Sequence, residues 1–279
     1  MTIAAGFYFN GGIIFCADTQ ETVGTSKTWT PKLLVEPSDM LGKDSRDSLM
    51  IAIAGAGDGP WTDKIVERAW ADVKSSVSFE EACSNMEASI KETYREYGEI
   101  FQPGYLPSAD LIYGVKMQGR SRLFLASGAI VNEKRGYAAV GIGQYLADFL
   151  ASRVHQRYLP SSWVLMLAAY TIFQCKEYVD GCGGDTHIAV LNEGGRSNRL
   201  DPWRTDFATE QLRRMDDVIS ILLLSASDFS TKEEDFKKEL DNAMSAIAEI
   251  RRGGEQFSKA WEEFTKSRFQ AVGFEKPEI

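Results

Sequence analysis

The sequence predicts an α+β protein: two sheets packed face to face, pairs of helices outside them, and a helical tail. Three observations carry this. Helix-period segments come in adjacent pairs between groups of strand-period segments, not one after each strand, which argues against a doubly wound parallel sheet. The chain opens with two apolar runs joined at Asn10-Gly11-Gly12, and Asn-Gly is a strong hairpin signal. Beyond Asp206 the strand patterns stop, and helical segments with charged runs at 232–239 and 249–255 take over.

The elements follow in order. Residues 2–9 and 13–17 form the opening hairpin. The polar, Thr-, Ser- and Gly-rich stretch 19–31 reads as irregular strand and loop, and 32–35 as a short strand. Residues 49–54 make a buried strand that the Gly55-Ala56-Gly57-Asp58-Gly59 run ends. Pro60 stands where a helix begins, and 61–75 places Ile65, Val66, Ala69, Trp70 and Val73 at helical spacing. Ser78 with Glu81 three residues on is a capping-box pattern opening a helix over 79–98. After a loop at 99–108, strands are expected at 109–117, 121–127 and 136–140. Helices follow at 143–157 and 161–178, divided by Pro160. A strand at 186–191, a turn at 193–195 and a short strand near 197–200 complete a domain spanning 1–205. The extension 206–279 is expected to break near Phe229-Ser230 and near Gly253-Gly254, because glycine weakens a helix interior.

Bulk properties exclude several classes. A net charge of −9 with no basic tail or run argues against general binding to nucleic acid or anionic membranes. No apolar stretch reaches the length of a spanning helix, and the start lacks the form of a signal peptide. Cys16, Cys83, Cys175 and Cys182 are far apart with no CxxC spacing, which fits reduced thiols in the cytoplasm. The Gly55–Gly59 run is no phosphate loop, since no Gly-Lys-Ser/Thr follows it. With only His155 and His187 present, a histidine-rich metal site and a Ser-His-Asp triad are both poor readings.

Position two holds the most informative residue. A threonine behind Met becomes the first residue once Met1 is trimmed, and then carries a hydroxyl nucleophile and its own α-amine as base. An α-amine with a reference pKa near ~7.7–8.0 is usable as a base at neutral pH. The surrounding motifs agree with this. Thr2-Ile3, the hairpin, Cys16-Ala17-Asp18 and Thr22-Val23-Gly24 resemble proteasome β-subunits and the HslV-type peptidases. So, in order, do Pro31-Lys32-Leu33, Ile53-Ala54-Gly55-Ala56-Gly57, Val140-Gly141-Ile142-Gly143 and Asp180–Gly184. Those enzymes are N-terminal-nucleophile (Ntn) hydrolases with a four-layer αββα sandwich, and the resemblance covers about residues 2–205.

The resemblance implies a threonine-type peptidase. Thr2 would be the nucleophile. Asp18 would pair with Lys32 and hold its ammonium beside Thr2, lowering the pKa of the hydroxyl and amine. The Gly55 N–H would face the oxyanion, at a position where glycine lets backbone approach substrate closely. Asp180 would orient the amine end of the site. Thr22 and Gly57 would bind substrate backbone as an added strand, with Glu21 and Ile53 at the first specificity pocket. No cofactor or metal is required. The resemblance also implies a homo-oligomer, as a ring or stacked rings, acting on peptides or unfolded protein, and it allows a ring-shaped ATPase partner. Ile142 departs from the family's pattern, which has serine there, and the Asp180–Gly184 run lacks a serine unless Cys182 substitutes. An inactive scaffold, or a ligase passing the same acyl group to an amine, are the alternative functions.

Overall fold

The computed structural model describes residues 2–23, 26–43, 47–98, 107–194 and 196–271. Among them are twelve strands in three sheets and six α-helices, numbered along the chain. The chain divides into two compact units, Met1–Ala208 and Thr209–Ile279.

The first sheet contains β1 (Ile3–Phe9), β2 (Gly12–Asp18), β10 (Tyr137–Gly141), β11 (Thr186–Asn192) and β12 (Asn198–Arg199), in the order β10-β1-β2-β11-β12. The second contains β5 (Leu33–Glu36), β6 (Met50–Gly57), β7 (Ala109–Met117), β8 (Arg120–Ser127) and β9 (Ile130–Lys134), in chain order. All pairs are antiparallel. Every residue of β1 and β2 is buried, as expected of strands covered on both faces.

The two sheets share an apolar core. Tyr8, Ile13, Phe15 and Ala17 from the first meet Val35, Met50, Ala52, Ala54 and Leu123 from the second. Phe15 fits because two facing positions lack side chains. A Cβ on Gly114 would lie 2.6 Å from the Phe15 ring, and one on Gly6 would lie 3.1 Å from it. Full burial of such a ring is worth about 1.5–3 kcal/mol. Tyr8 also bolts the sheets together: its hydroxyl accepts the Leu123 N–H of β8 at 2.9 Å.

Alternation along β6 sends Met50, Ala52 and Ala54 to this core and Ile51 and Ile53 to the opposite face. There α1 (Gly59–Val73) contributes Trp61, Ile65, Ala69 and Val73, and α2 (Phe79–Gly98) contributes Ala82, Met86 and Ile90. Both helices start at caps. The Asp58 side chain accepts from Trp61 N, with Pro60 at the start of the helix. Ser78 Oγ accepts from Glu81 N, while the Glu81 carboxylate accepts from Val77 N. Helix α3 (Gln144–Val154) packs on β10 and β1, and α4 (Ser161–Tyr178) on β1 and β2, burying Val164, Leu167, Ile172 and Phe173.

Several expectations are corrected. Two regular strands, β3 (Gln20–Val23) and β4 (Ser26–Trp29), pair antiparallel where polar composition suggested irregular strand and loop. The Gly55-Ala56-Gly57 run continues β6, paired to Leu111, Asp110 and Ala109, and the chain turns only at Gly57, where φ is +130°. Strand β9 went unseen because Val131 is its one buried residue, so it has no apolar signal. In the second unit, α5 (Pro202–Ser227) and α6 (Glu233–Ala271) break at 228–232 as expected, but α6 runs through Gly253-Gly254. Two glycines costing about 1 kcal/mol each do not stop a helix of this length. Most of the loop expected at 99–108, and Gly195 of the turn at 193–195, lie outside the described residues.

Candidate functional site

The site begins with strand register. Ala4 stands opposite Ala17 on the β1–β2 hairpin, which brings Asp18 to the start of β1. The Asp18 side chain is fully buried, and three groups donate to it. Ile3 N donates to Oδ1 at 3.1 Å, the Lys32 ammonium to the same oxygen at 2.8 Å, and Gly183 N to Oδ2 at 3.0 Å. Lys32 precedes β5, is 9% exposed, and also donates to the Gln20 carbonyl. One carboxylate oxygen therefore holds both the backbone next to Thr2 and the lysine ammonium. A pair this buried is costly to break from one side.

Thr2 is 6% exposed. Its carbonyl accepts from Gly143 N at 3.4 Å and lies against Gly141, whose φ is +97°. A Cβ on Gly141 would stand 2.1 Å from that oxygen, so glycine is required there.

A cleft of about 970 Å³ opens beside these groups. Thr2, Lys32 and Gly55 line it, together with Glu21, Thr22, Ile53 and Gly57. Asp18 lies behind Lys32, outside the lining. Asp180 is not brought in: it is exposed in the turn after α4, and Gly183 of the same turn makes the contact with Asp18. The need for glycine at position 55 has a packing cause. A Cβ there would meet Thr62 Cγ2 at 2.3 Å and Leu111 Cδ2 at 2.7 Å, so packing on α1 excludes a side chain.

Sequence reasoning missed Gly183, Thr62 and Asp63. Gly183 lay within a quoted run, but only the fold shows which member reaches Asp18. Thr62 and Asp63 sit on the first turn of α1 and line the cleft. Burial, and then the nearby Glu21 charge, push the Asp63 carboxyl above its usual range. The thiols nearby are quiet. Burial first and Asp18 second push Cys182 up to about 12, and burial, with Cys182 and Asp18, pushes Cys175 to a similar value. Lys176 donates to Thr186 Oγ1 at 2.7 Å, and burial lowers its pKa against the opposing pull of Asp18, Asp185 and Asp206. Among the described residues, no group of three or more His, Cys, Asp or Glu side chains is gathered as metal ligands would be, and no helix is long and apolar enough to cross a membrane.

Two face-to-face antiparallel sheets, with a threonine just before the first strand and a lysine–carboxylate pair at its start, make up this fold. The solved structures that share it are Anbu (ancestral beta-subunit) proteins. Anbu from Yersinia bercovieri superposes with a TM-score of 0.63 at 15% identity, covering 83% of this chain and 99% of its own. Anbu from Hyphomicrobium sp. strain MC1 gives 0.61 at 15% identity, covering 82% and 100%. The Anbu complex from Pseudomonas aeruginosa, which forms a helical assembly, gives 0.62 at 12% identity, covering 78% and 95%. No family model and no curated protein matches the sequence.

These neighbours correct the assignment to proteasome β-subunits and HslV-type peptidases. The motifs that suggested it are ones this backbone requires. Gly141 must clear the Thr2 carbonyl and Gly55 must clear Thr62, so such glycines report the fold and not a branch within it.

Proposed function

We propose that the chain is an N-terminal-threonine peptidase. Removal of Met1 makes Thr2 the first residue. Its hydroxyl oxygen then attacks a peptide carbonyl while its α-amine takes the hydroxyl proton. That proton passes to the leaving amine as the C–N bond breaks, and water releases the acyl group from the resulting ester. Lys32, held by Asp18, favours the developing alkoxide and the neutral amine. Gly55 offers its N–H to the oxyanion, a role worth on the order of 10²–10³ in rate. Glu21, Thr22, Ile53 and Gly57 hold the substrate. Residues 1–205 form the catalytic domain, a four-layer αββα sandwich, and 206–279 its extension. The chain works as a homo-oligomer, a reading supported by the helical assembly of the Pseudomonas neighbour.

One observation carries the proposal. Asp18 Oδ1 accepts from both Ile3 N and Lys32 Nζ, while Thr2 and Lys32 line the same cleft. A scaffold reading draws on two others: Ile142 is aliphatic and 47% exposed, and Asp180 stands outside the cleft. The test is peptide cleavage by wild type and Thr2→Ala, with intact mass and assembly checked on both. The proposal expects wild type to lack about 131 Da (roughly one methionine residue), to be labelled by a threonine-reactive epoxyketone, and to lose turnover in the variant. Retained Met1, or a free Thr2 with neither label nor turnover, refutes it in favour of the scaffold.

A further inference from the structure

The charges lining the cleft are unevenly satisfied. Both of its bases are engaged, Lys32 with Asp18 and Arg199 with the Leu33 carbonyl. Three of its acids have partners as well. Asp58 caps α1, Glu67 pairs with Lys64 at 3.0 Å, and Glu36 accepts from Ser38 N at 3.3 Å. Glu21 and Asp63 are different. Glu21 accepts only the neutral Thr30 hydroxyl, at 2.9 Å, and among the described residues no cation lies within ion-pair distance of either carboxylate. Both line the same cleft, Glu21 from β3 and Asp63 from the first turn of α1. Glu21 is close enough to α1 that a Cβ on Gly59 would lie 2.3 Å from its Oε1, and its charge is felt at Asp63. A separate observation concerns the same wall of the cleft. Thr62, next to Asp63, is 8% exposed and lines the cleft, yet its Oγ1 has no hydrogen-bond partner.

From this we infer that the cleft selects peptides carrying a lysine or arginine side chain, whose cationic end sits between Glu21 and Asp63. The inference rests on the cleft being the peptide-binding site, as in the proposed function. A cation relieves the repulsion between two carboxylates that line one cleft without a basic partner, which a neutral or acidic side chain does not. Its long aliphatic stem suits the apolar part of the wall, where Ile53, Val66 and Trp70 also line the cleft. The recognition is electrostatic and does not depend on Thr2 being a nucleophile.

The test is binding, measured on the full-length Thr2→Ala chain so that turnover plays no part. The probes are two fluorescein-labelled peptides, acetyl-Leu-Leu-Arg-amide and the same peptide with norleucine for arginine, followed by fluorescence anisotropy. The arginine peptide should bind about 10–100-fold more tightly, the range for hydrogen bonds to charged groups. Adding Glu21→Gln with Asp63→Asn should abolish the difference. Asp63 is exposed on α1, so a single Asp63→Lys change leaves the fold intact and should reverse the preference. Equal binding of the two peptides, or a preference unchanged by Asp63→Lys, overturns the inference. Arginine preference in a chain that never cleaves peptides would keep this inference and remove the peptidase, so the two fail separately.

Discussion

Replacing Asp18 with asparagine keeps the shape and removes the charge. In the wild type the carboxylate accepts three N–H groups while fully buried, and Lys32 beside it is 9% exposed. Asparagine leaves that ammonium uncompensated, and its amide nitrogen must face a donor on one side or the other. Breaking a buried pair from one side costs about 3–5 kcal/mol. For a unit of this size, each kcal/mol lowers Tm by about 2–4 °C, so the variant should melt about 6–20 °C below wild type. Lys32→Met should cost a similar amount by stranding the carboxylate. The double variant should lose less than the two singles together, with a coupling of about 1.5 kcal/mol or more, because both charges are then gone. Thermal melts and urea denaturation, both followed by tryptophan fluorescence at pH 7, measure all four forms. If Asp18→Asn melts within about 3 °C of wild type, or the two losses simply add, the pair is a loosely held surface contact. The placement of Lys32 beside Thr2 then loses its physical basis.

Other substitutions probe the surrounding structure. Gly141→Ala should destabilise by more than about 2 kcal/mol and disturb the chain at Thr2, because φ is +97° and the new methyl would meet the Thr2 carbonyl; epoxyketone labelling and Tm both read the effect. Tyr8→Phe leaves the buried Leu123 N–H without its acceptor and should cost about 1–3 kcal/mol, measured by chemical denaturation. His155 and His187 both have pKa values lowered, chiefly by burial. A depressed folded-state pKa gives stability that is full above the unfolded value and lost as pH falls through the folded one. Tm should therefore fall from pH 7 toward pH 5.5, where the histidines and not the carboxylates titrate, and His155→Gln should flatten that slope.

The strands that build the core were legible because they carry continuous or alternating apolar residues. Strands β7 and β11 stand within a residue of expectation, and α2 and α4 match it, the first through its Ser78–Glu81 cap. What stayed hidden lacked such a signal. Strand β9 has a single buried side chain, and the β3–β4 pair is polar because it lies at the mouth of a cleft, not in a core. The site divides along the same line. Thr2, Lys32 and Gly55, expected from short motifs, line one cleft. Gly183 contributes only its N–H, and a backbone donor leaves no mark on residue type. Asp63 carries no motif or periodicity signal, because its place on the cleft wall with Glu21 is a property of tertiary structure.

The proposed role of Thr2 can be weighed against the buried thiols nearby. Cys182 is in the turn that donates to Asp18, near enough that the Asp18 and Lys32 charges both act on it. By position it is the natural competitor for a nucleophile's role. Burial and the Asp18 charge nevertheless hold its thiol up at about 12, which disfavours the thiolate at neutral pH. Cys175 is held at a similar value, and its thiol donates to the Gly143 carbonyl at 3.5 Å. A hydroxyl whose base is the amine of its own residue escapes this penalty, since neither group has to carry a negative charge in the resting site. Burial, and then the Asp18 charge, disfavour the thiols, and under the proposed function Lys32 favours the threonine. Activity that survives Thr2→Ala and is blocked by iodoacetamide would reverse that assignment. Activity that vanishes in Thr2→Ala and is untouched in Cys182→Ser would uphold it.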